Sequence, residues 1–519
     1  MASTGDRVVV IGAGMGGLAA AIRLAAAGLD VTVIEAAAGP GGKMRTLPSP
    51  AGPVDAGPTV LTMRPVFDAL FAAAGARLDD HLTLIPQPIL ARHWWEDGSR
   101  LDLFPDAEHS AAAIADFAGA READRFRAFH AATARLFDAF EAPVMRAPRP
   151  SLPGIAAAAL RAPALWPWLV PWATLAGRLA ATFEDARLRQ LFGRYATYVG
   201  GMPHRVPAVL ALVWQSEARG VWAVRGGMHA LAQALAALAI ASGARIRYGT
   251  PAEAIETAGG RVSAVRLAGG ARIAADLVVF NGDPRALATG LMGAAAQGAV
   301  RARRTAPRAL SAWVWSFAAE ARGLPLVHHN VFFTDDPQTR EFGPIAAGRM
   351  PEAPTLYLCA EDRAGGTAPR GLERFEIILN GPAGAPPPAE EFRACLTRTF
   401  PRLARFGLSL SPMPGPAALT TPTRFAALFP GSAGSLYGQS PEGPLATFAR
   451  PTARTRLPGL WLAGGGAHPG AGVPMATLSG QRAAEAILTA RASTSTFRRT
   501  AMRGGTSTGS ATTGAAPSR

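Results

Sequence analysis

The chain opens with an unbroken apolar run over residues 7–11, bounded on its far side by glycine. A β-branched run without polar alternation is what a strand buried on both faces of a parallel sheet presents. Residues 15–27 are rich in alanine and leucine, contain no proline and are followed by Gly28. That pattern predicts a helix closed by a glycine C-cap. A second apolar run over 31–34 ends at Glu35, so residues 7–35 read as a βαβ unit. Residues 63–140 carry mainly helical periodicity, with a hairpin-like stretch around 93–103. From 226 to 283 the pattern returns to α/β, with a helix over 228–241 and strands near 245–248, 262–267 and 276–280. Residues 290–440 are mixed and rich in Pro/Gly loops. Residues 459–490 read as strand, glycine turn and helix, the helix over 475–490.

The α/β pattern thus comes in three pieces. It predicts one Rossmann-like nucleotide-binding domain over 1–62, 221–288 and 440–491, interrupted by insertions. Those insertions are a helical, membrane-facing part over 63–220 and an α+β substrate domain over 289–439. After residue 492 the chain is Ser/Thr/Gly/Ala/Arg without periodicity and is expected to be a disordered tail. No internal repeat is visible.

Composition narrows the class. With 519 residues and 49% hydrophobic content, the chain is long enough for two or three domains with a large core. Its net charge of +15 comes from 52 basic and 37 acidic residues, and Lys43 is the sole lysine. Arginine, alanine, glycine and proline together fit a GC-rich coding bias, and an anionic membrane surface is the functional alternative. Zinc-finger spacing and RNP-type aromatic motifs are both missing, which argues against nucleic acid. Cys359 and Cys395 are too few for a disulfide framework and fit a reducing compartment. A signal peptide is not expected, because the first strand starts at Arg7, and no apolar run is long enough to span a membrane. The stretch 141–180 is unusual: seven prolines, Trp166, Trp168 and Trp172 clustered, and no carboxylate between Glu141 and Glu184. A segment of this kind can lie in a membrane interface, or pack as a buried helix pair.

Gly12-Ala13-Gly14-Met15-Gly16-Gly17 follows a strand and opens a helix. Gly12 permits the tight turn, Gly14 lets backbone approach a pyrophosphate, and Gly17 allows close helix–strand packing. The helix N-terminus offers unsatisfied N–H groups and a positive dipole to the phosphates. Glu35 stands at the end of the second strand, placed to accept from a ribose hydroxyl. Gly39-Pro40-Gly41-Gly42-Lys43-Met44-Arg45-Thr46 then resembles the second half of the FAD fingerprint in glutathione-reductase-like and amine-oxidase-like flavoproteins. Lys43 reads as a cofactor ligand there, or as a solvated surface charge. Farther on, Gly464-Gly465-Gly466-Ala467-His468-Pro469-Gly470 precedes a helix whose N-terminus would stabilise anionic reduced flavin. His468 reads as a structural histidine in a Pro/Gly turn, with proton handling as the alternative.

Asp55-Ala56-Gly57-Pro58-Thr59, Met202-Pro203, Arg225-Gly226-Gly227-Met228 and the run 276–284 extend the match across nearly the whole chain to residue 490. Together these resemble the carotenoid/retinoid oxidoreductase family of the bacterial phytoene-desaturase type. Residues 41–46, 55–64 and His93-Trp94-Trp95 resemble its branch acting on acyclic 1-hydroxycarotenoids. The resemblance implies that Gly12, Gly14, Gly17, Glu35, Gly42, Lys43 and Arg45 bind FAD, and that Gly57 and Pro58 lie by the isoalloxazine ring. It implies that Ala252 presents a backbone amide to the adenine, and that Gly464, Gly465, Val473 and Met475 close the flavin pocket. It further implies hydride removal from C3 or C4 of a membrane-dissolved carotenoid, by a peripheral protein on the cytoplasmic side, without a metal. The motifs leave the base for the neighbouring proton unassigned. Phytoene desaturase, an amine oxidase and a non-catalytic prenyl-binding escort protein of the GDP-dissociation-inhibitor type are the rival readings.

Overall fold

In the computed structural model, which describes residues 6–384 and 386–502, five parallel strands form the first sheet. Their order is Leu460–Leu462, Leu277–Phe280, Arg7–Ile11, Asp30–Ile34 and Arg245–Arg247. The strands come from all three α/β pieces of the sequence. Alternation along the first strand assigns its faces. Val8 and Val10 pack into one core with helices Met15–Ala26 and His229–Ala241, while Val9 and Ile11 pack into another. The second core includes Ile255, Val262 and Val265 from an antiparallel three-stranded sheet (Ala252–Ala258, Arg261–Leu267, Arg272–Ala274). Burial on both faces explains why this strand shows no polar alternation.

Strand Ala252–Ala258 is not among the strands expected from the sequence. Its pattern is half-exposed and interrupted by bulges at Ala252/Ala254 and Glu256/Thr257, which removes a clean period of two. The C-terminal helix runs Val473–Met502, against an expected end near 490 and a disordered tail from 492. Neither proline nor glycine occurs between Gly480 and Met502, so nothing in the sequence stops it. Residues 503–519 of the expected tail lie outside the described residues.

A second sheet is mixed. Ser409–Ser411, Ser311–Arg322, Glu373–Gly381, Leu356–Ala360 and His329–Phe332 pair antiparallel in that order. Ala91–Trp94 then joins parallel to His329–Phe332 and turns back as Arg100–Leu103. The hairpin expected near 93–103 is therefore present, but it edges the 311–411 sheet rather than standing within the helical part. Helix Ala107–Ala118 covers it through Ala111 and Ile114, and helix Ala120–Phe140 packs on that helix and carries Phe126, Phe129, Leu136 and Phe137 into the same core. The two sheets and this helical layer enclose one long cavity.

Candidate cofactor and substrate site

The cavity has a volume of about 1360 Å³. That exceeds the ~300–1,000 Å³ of an ordinary small-molecule site. Every residue that the sequence assigned to cofactor binding or proton handling lines it except Gly17 and His468.

One end is built on the first glycine turn. Gly12 has φ +101°, and its N–H donates to the Ile34 carbonyl at 2.8 Å. Gly14 precedes helix Met15–Ala26 in extended conformation, without a side-chain cap and with no acid in the first turn. The uncapped N–H groups therefore keep their positive end for an anion. Gly17 acts by packing: a Cβ there would lie 2.1 Å from the Gly12 carbonyl oxygen. Asn281 closes the turn from beside, donating Nδ2 to the Gly12 carbonyl at 3.3 Å. Glu35 accepts from Ala13 N–H at 2.7 Å and Ala37 N–H at 2.8 Å, and its remaining lone pairs face the cavity wall shared with Pro251 and Ala252.

The second glycine run lies against the first through Gly41 N–H, which donates to the Ala13 carbonyl at 2.8 Å. Gly42, Lys43 and Arg45 carry the wall onward. Lys43 is part-buried; its ammonium donates to the Leu436 carbonyl at 2.6 Å and stands over the Phe429 ring. Burial pushes its pKa down to about 8. A solvated surface charge does not describe it. Arg45 donates to Thr420 Oγ1 at 2.5 Å and lies over Phe425, leaving Nε buried without a partner.

Gly57, Pro58 and Thr59 line the same cavity, as do Gly464, Gly465, Val473 and Met475, and Gly464 packs on the first glycine turn, where a Cβ at Gly16 would lie 2.4 Å from its backbone N. Gly57 is held against Lys43, where a Cβ would lie 1.9 Å from the Lys43 carbonyl oxygen. His468 is buried, and its Nε2 lies 3.0 Å from the Ala147 carbonyl oxygen. Its neighbours Gly466 and Pro469 line the cavity and it does not. Burial also pushes its pKa down, as befits a neutral ring fixed by a backbone carbonyl.

Several contributors were not found from the sequence. Arg450 donates to the Gly465 carbonyl and the Gln439 carbonyl, both at 2.9 Å, so it ties the 464–470 loop to the 439 loop. Burial pushes its pKa down to about 10. Asp55 accepts from Met228 N–H at 2.5 Å and His229 N–H at 3.1 Å, capping the helix His229–Ala241. Two motifs that looked separate in the chain, 55–59 and 225–228, are thus one contact. Behind them Glu361 accepts from Asp55 N–H at 2.7 Å and pairs with Arg374 at 3.3 Å, while Glu376 is wholly buried. Burial, then the neighbouring Asp55 charge, raises Glu361 to about 8. A third set, Arg194, Tyr198, Glu217 and Tyr357, lines the cavity beside Thr59. Asp55 apart, no local motif marks any of these; a single arginine or tyrosine in an apolar stretch has no spacing to read. Among the described residues, His328, His329 and Cys359 form a buried trio whose possible ligand atoms lie within 4.8 Å of one another. His329 Nδ1 is engaged by the Tyr357 hydroxyl at 2.7 Å.

The site fits a dinucleotide-sized flavin cofactor. Two helix N-termini without acidic first turns open on it, and backbone crowding replaces side chains where a pyrophosphate would approach. A family model for flavin containing amine oxidoreductase matches residues 179–488, and one for an NAD(P)-binding Rossmann-like domain matches 10–74. The chain is 64% identical to a hydroxyneurosporene desaturase from Cereibacter sphaeroides, over 94% of this chain and 99% of that protein. It is 58% identical to one from Rhodobacter capsulatus, over 94% and 98%. In fold it is similar to an oxidoreductase from Methanosarcina mazei, with a TM-score of 0.61, 16% identity, and coverage of 92% of this chain and 100% of that one. Glycine cradle, uncapped helix ends and family match agree: the chain belongs to the flavin-containing amine oxidoreductase family and is an FAD-dependent oxidoreductase.

Proposed function

We propose that the protein desaturates an acyclic 1-hydroxycarotenoid, of the 1-hydroxyneurosporene type, at its C3–C4 bond. The observation that carries this is the continuity of the cavity. The cavity lined by the glycine turns and by Gly57-Pro58-Thr59 is also lined by Phe140, Val144, Val209, Leu212, Val213 and Phe448. An extended hydrocarbon gains from burial along such a wall, at ~25 cal/mol per Å² of apolar surface. The identity to hydroxyneurosporene desaturases supports the substrate class.

Bound FAD supplies the two-electron oxidation, which no side chain can perform. Gly12, Gly14, Gly17, Glu35, Gly42, Lys43, Arg45, Gly57, Pro58, Ala252, Gly464, Gly465, Val473 and Met475 are the residues we assign to hold it. The apolar wall aligns the polyene and excludes water. We assign His468 to bracing: its ring ties the 464–470 loop to Ala147, two residues past the turn Glu141–Met145, whose Val144 lines the cavity.

The same turn leads to the surface. Ser151 N–H donates to the Pro143 carbonyl at 3.0 Å, joining the turn to helix Leu152–Arg161. Beyond it Leu160, Trp166 and Trp172 are 72%, 51% and 81% exposed. Large apolar side chains exposed together, with Arg161 and no carboxylate, suit a membrane interface. Among the described residues no helix is long and apolar enough to cross a membrane. We therefore read the protein as peripheral, on the cytoplasmic leaflet, taking substrate from the bilayer past residues 141–172. Grouping 1–62, 221–288 and 440–491 as the FAD-binding domain belongs to the same reading, as does assigning 63–220 to the membrane face and 289–439 to the substrate.

The test is incubation of FAD-loaded protein with 1-hydroxyneurosporene in liposomes. A red-shifted absorption spectrum and a product two hydrogens lighter are expected. Turnover of phytoene alone would overturn the substrate assignment. A colourless protein that cannot be reconstituted with FAD would overturn catalysis and favour a prenyl binder.

A further inference from the structure

A pure hydrocarbon offers nothing to hydrogen-bond, so the cavity wall beside it should be apolar. One patch is not. Arg194, Tyr198, Glu217 and Tyr357 stand together in the wall, next to Thr59. Arg194 is 6% exposed, and its Nε and Nη2 have no partner. Its guanidinium lies over the Tyr198 ring at 4.7 Å and the Tyr357 ring at 6.0 Å. Glu217 is 3% exposed and accepts from the Tyr195 hydroxyl at 2.6 Å. Tyr357 shares its hydroxyl with Thr59 Oγ1 and with His329 Nδ1, each at 2.7 Å. Arg194 also borders a smaller cavity of about 480 Å³ on its other side. Tyr198, Glu217 and Tyr357 face only the large cavity, so that is where the patch is complete.

Leaving a buried donor unpaired is costly, more so when it is charged. Such donors are retained in a cavity wall when a ligand supplies the missing partner. An alcohol needs one donor and one acceptor, and the patch offers the Arg194 N–H groups and the Glu217 carboxylate. We propose that Arg194, Glu217 and Tyr357 form the subsite that binds the substrate's 1-hydroxyl group and thereby selects hydroxylated over unhydroxylated carotenoids. This rests on the desaturase reading above.

Placement agrees with the chemistry of the substrate. A single methylene separates the hydroxyl-bearing carbon from the C3–C4 bond. Whatever reads the hydroxyl must therefore lie beside the redox end of the cavity, and cannot lie at the distal end of a long polyene tunnel. Thr59 follows Gly57 and Pro58 directly and reaches Tyr357, so the patch meets that requirement. Binding here also fixes the register of an otherwise featureless chain. Without the hydroxyl, the polyene can slide along the wall at little cost and present many bonds; with it, one bond is presented.

The experiment compares 1-hydroxyneurosporene with neurosporene, each in liposomes, using full-length FAD-loaded protein and its variants. Wild type is expected to favour the hydroxylated substrate in kcat/KM by about a hundredfold or more. Arg194→Met is expected to lower that ratio by about tenfold to hundredfold, the worth of one hydrogen bond to a charged group, with FAD content unchanged. Glu217→Gln and Tyr357→Phe should lower it in the same sense. Variants that slow both substrates by a common factor would show a structural role and overturn the subsite. If Arg194→Met fails to take up FAD, Tyr357→Phe decides: an unchanged ratio overturns the proposal and a fallen ratio supports it. A wild type that oxidises both carotenoids equally well overturns the subsite while the desaturase reading stands. One that oxidises neither overturns the desaturase reading itself.

Discussion

At Gly17 the whole case for cofactor binding turns on one missing methyl group. A Cβ there would lie 2.1 Å from the Gly12 carbonyl oxygen, a backbone atom that cannot swing aside. At Gly14 the obstacle is Asn281 Nδ2 at 2.7 Å, the end of a side chain that can rotate. The two positions should therefore respond differently to alanine. Gly17→Ala must push the helix Met15–Ala26 off the strand Arg7–Ile11, costing ~1–3 kcal/mol as overpacking does. It should lower Tm and FAD content together. Gly14→Ala should lower Tm less, giving up only the Asn281 hydrogen bond to the Gly12 carbonyl, and should reduce FAD content, because Gly14 lines the cavity beside the uncapped helix end. Thermal melts with flavin absorbance on the purified variants check both; equal losses of Tm would contradict the assigned roles. These glycines were legible in the sequence because their spacing encodes their geometry. Arg194, Arg450 and Glu361 were not, because no fixed spacing ties them to their partners: Arg450 reaches back 11 positions to Gln439 and forward 15 to Gly465, and Glu361 holds residue 55.

Elements were legible where one periodicity governed the whole run. The first strand, the first helix and the helix His229–Ala241 lie within a residue or so of expectation, since burial on one face or on both leaves a clean pattern. Strand Ala252–Ala258 was lost to its bulges, and the end of the C-terminal helix to its composition. What joins the elements was hidden too. The cap that Asp55 places on the helix His229–Ala241 bridges 173 positions, and its orientation depends on Glu361 behind it. That dependence has a pH signature. Burial raises the Glu361 carboxyl to about 8 in the fold, above its ordinary value of 4.5. Below pH 4.5 the carboxyl is protonated whether folded or not. Between 4.5 and 8 the unfolded chain has lost the proton and the fold keeps it, so rising pH favours unfolding. The slope approaches ~1.4 kcal/mol per pH unit for one such group. Glu361→Gln keeps the oxygen that accepts from Asp55 N–H and removes the titration. Buried histidines contribute the opposite slope in both proteins and cancel in the difference. The Tm of the variant minus that of wild type should therefore rise steadily from pH 5 to pH 8; a flat difference would show that Glu361 is ionised throughout.

On the scale of the whole molecule, the charge and the exposed indoles bear on the same question. A net charge of +15 gives long-range attraction to anionic lipid, and this weakens as salt shortens the Debye length. Attraction of that kind brings the protein to the surface without holding it at one depth or orientation. The indoles of Trp166 and Trp172 can do that. They project from a segment continuous with the turn Glu141–Met145, and so with the cavity wall. Inserting ~100 Å² of each ring into the interface is worth ~2–3 kcal/mol. Two contributions of different physical origin predict two different responses. Raising salt from 0.05 to 1 M (about 14 Å to 3 Å in Debye length) should weaken but not abolish sedimentation with phosphatidylglycerol vesicles. Trp166→Ser combined with Trp172→Ser should weaken it at least tenfold at every salt concentration, with FAD content intact, because both side chains are exposed and support no core. Carbonate should strip the wild type from membranes, as no described helix is long and apolar enough to cross them. Desaturation should fall in proportion to vesicle binding when carotenoid is supplied in the bilayer, and should recover when it is supplied in detergent micelles. Loss of activity in both media would place the two tryptophans in the catalytic fold, and loss in neither would move the entry route away from residues 141–172.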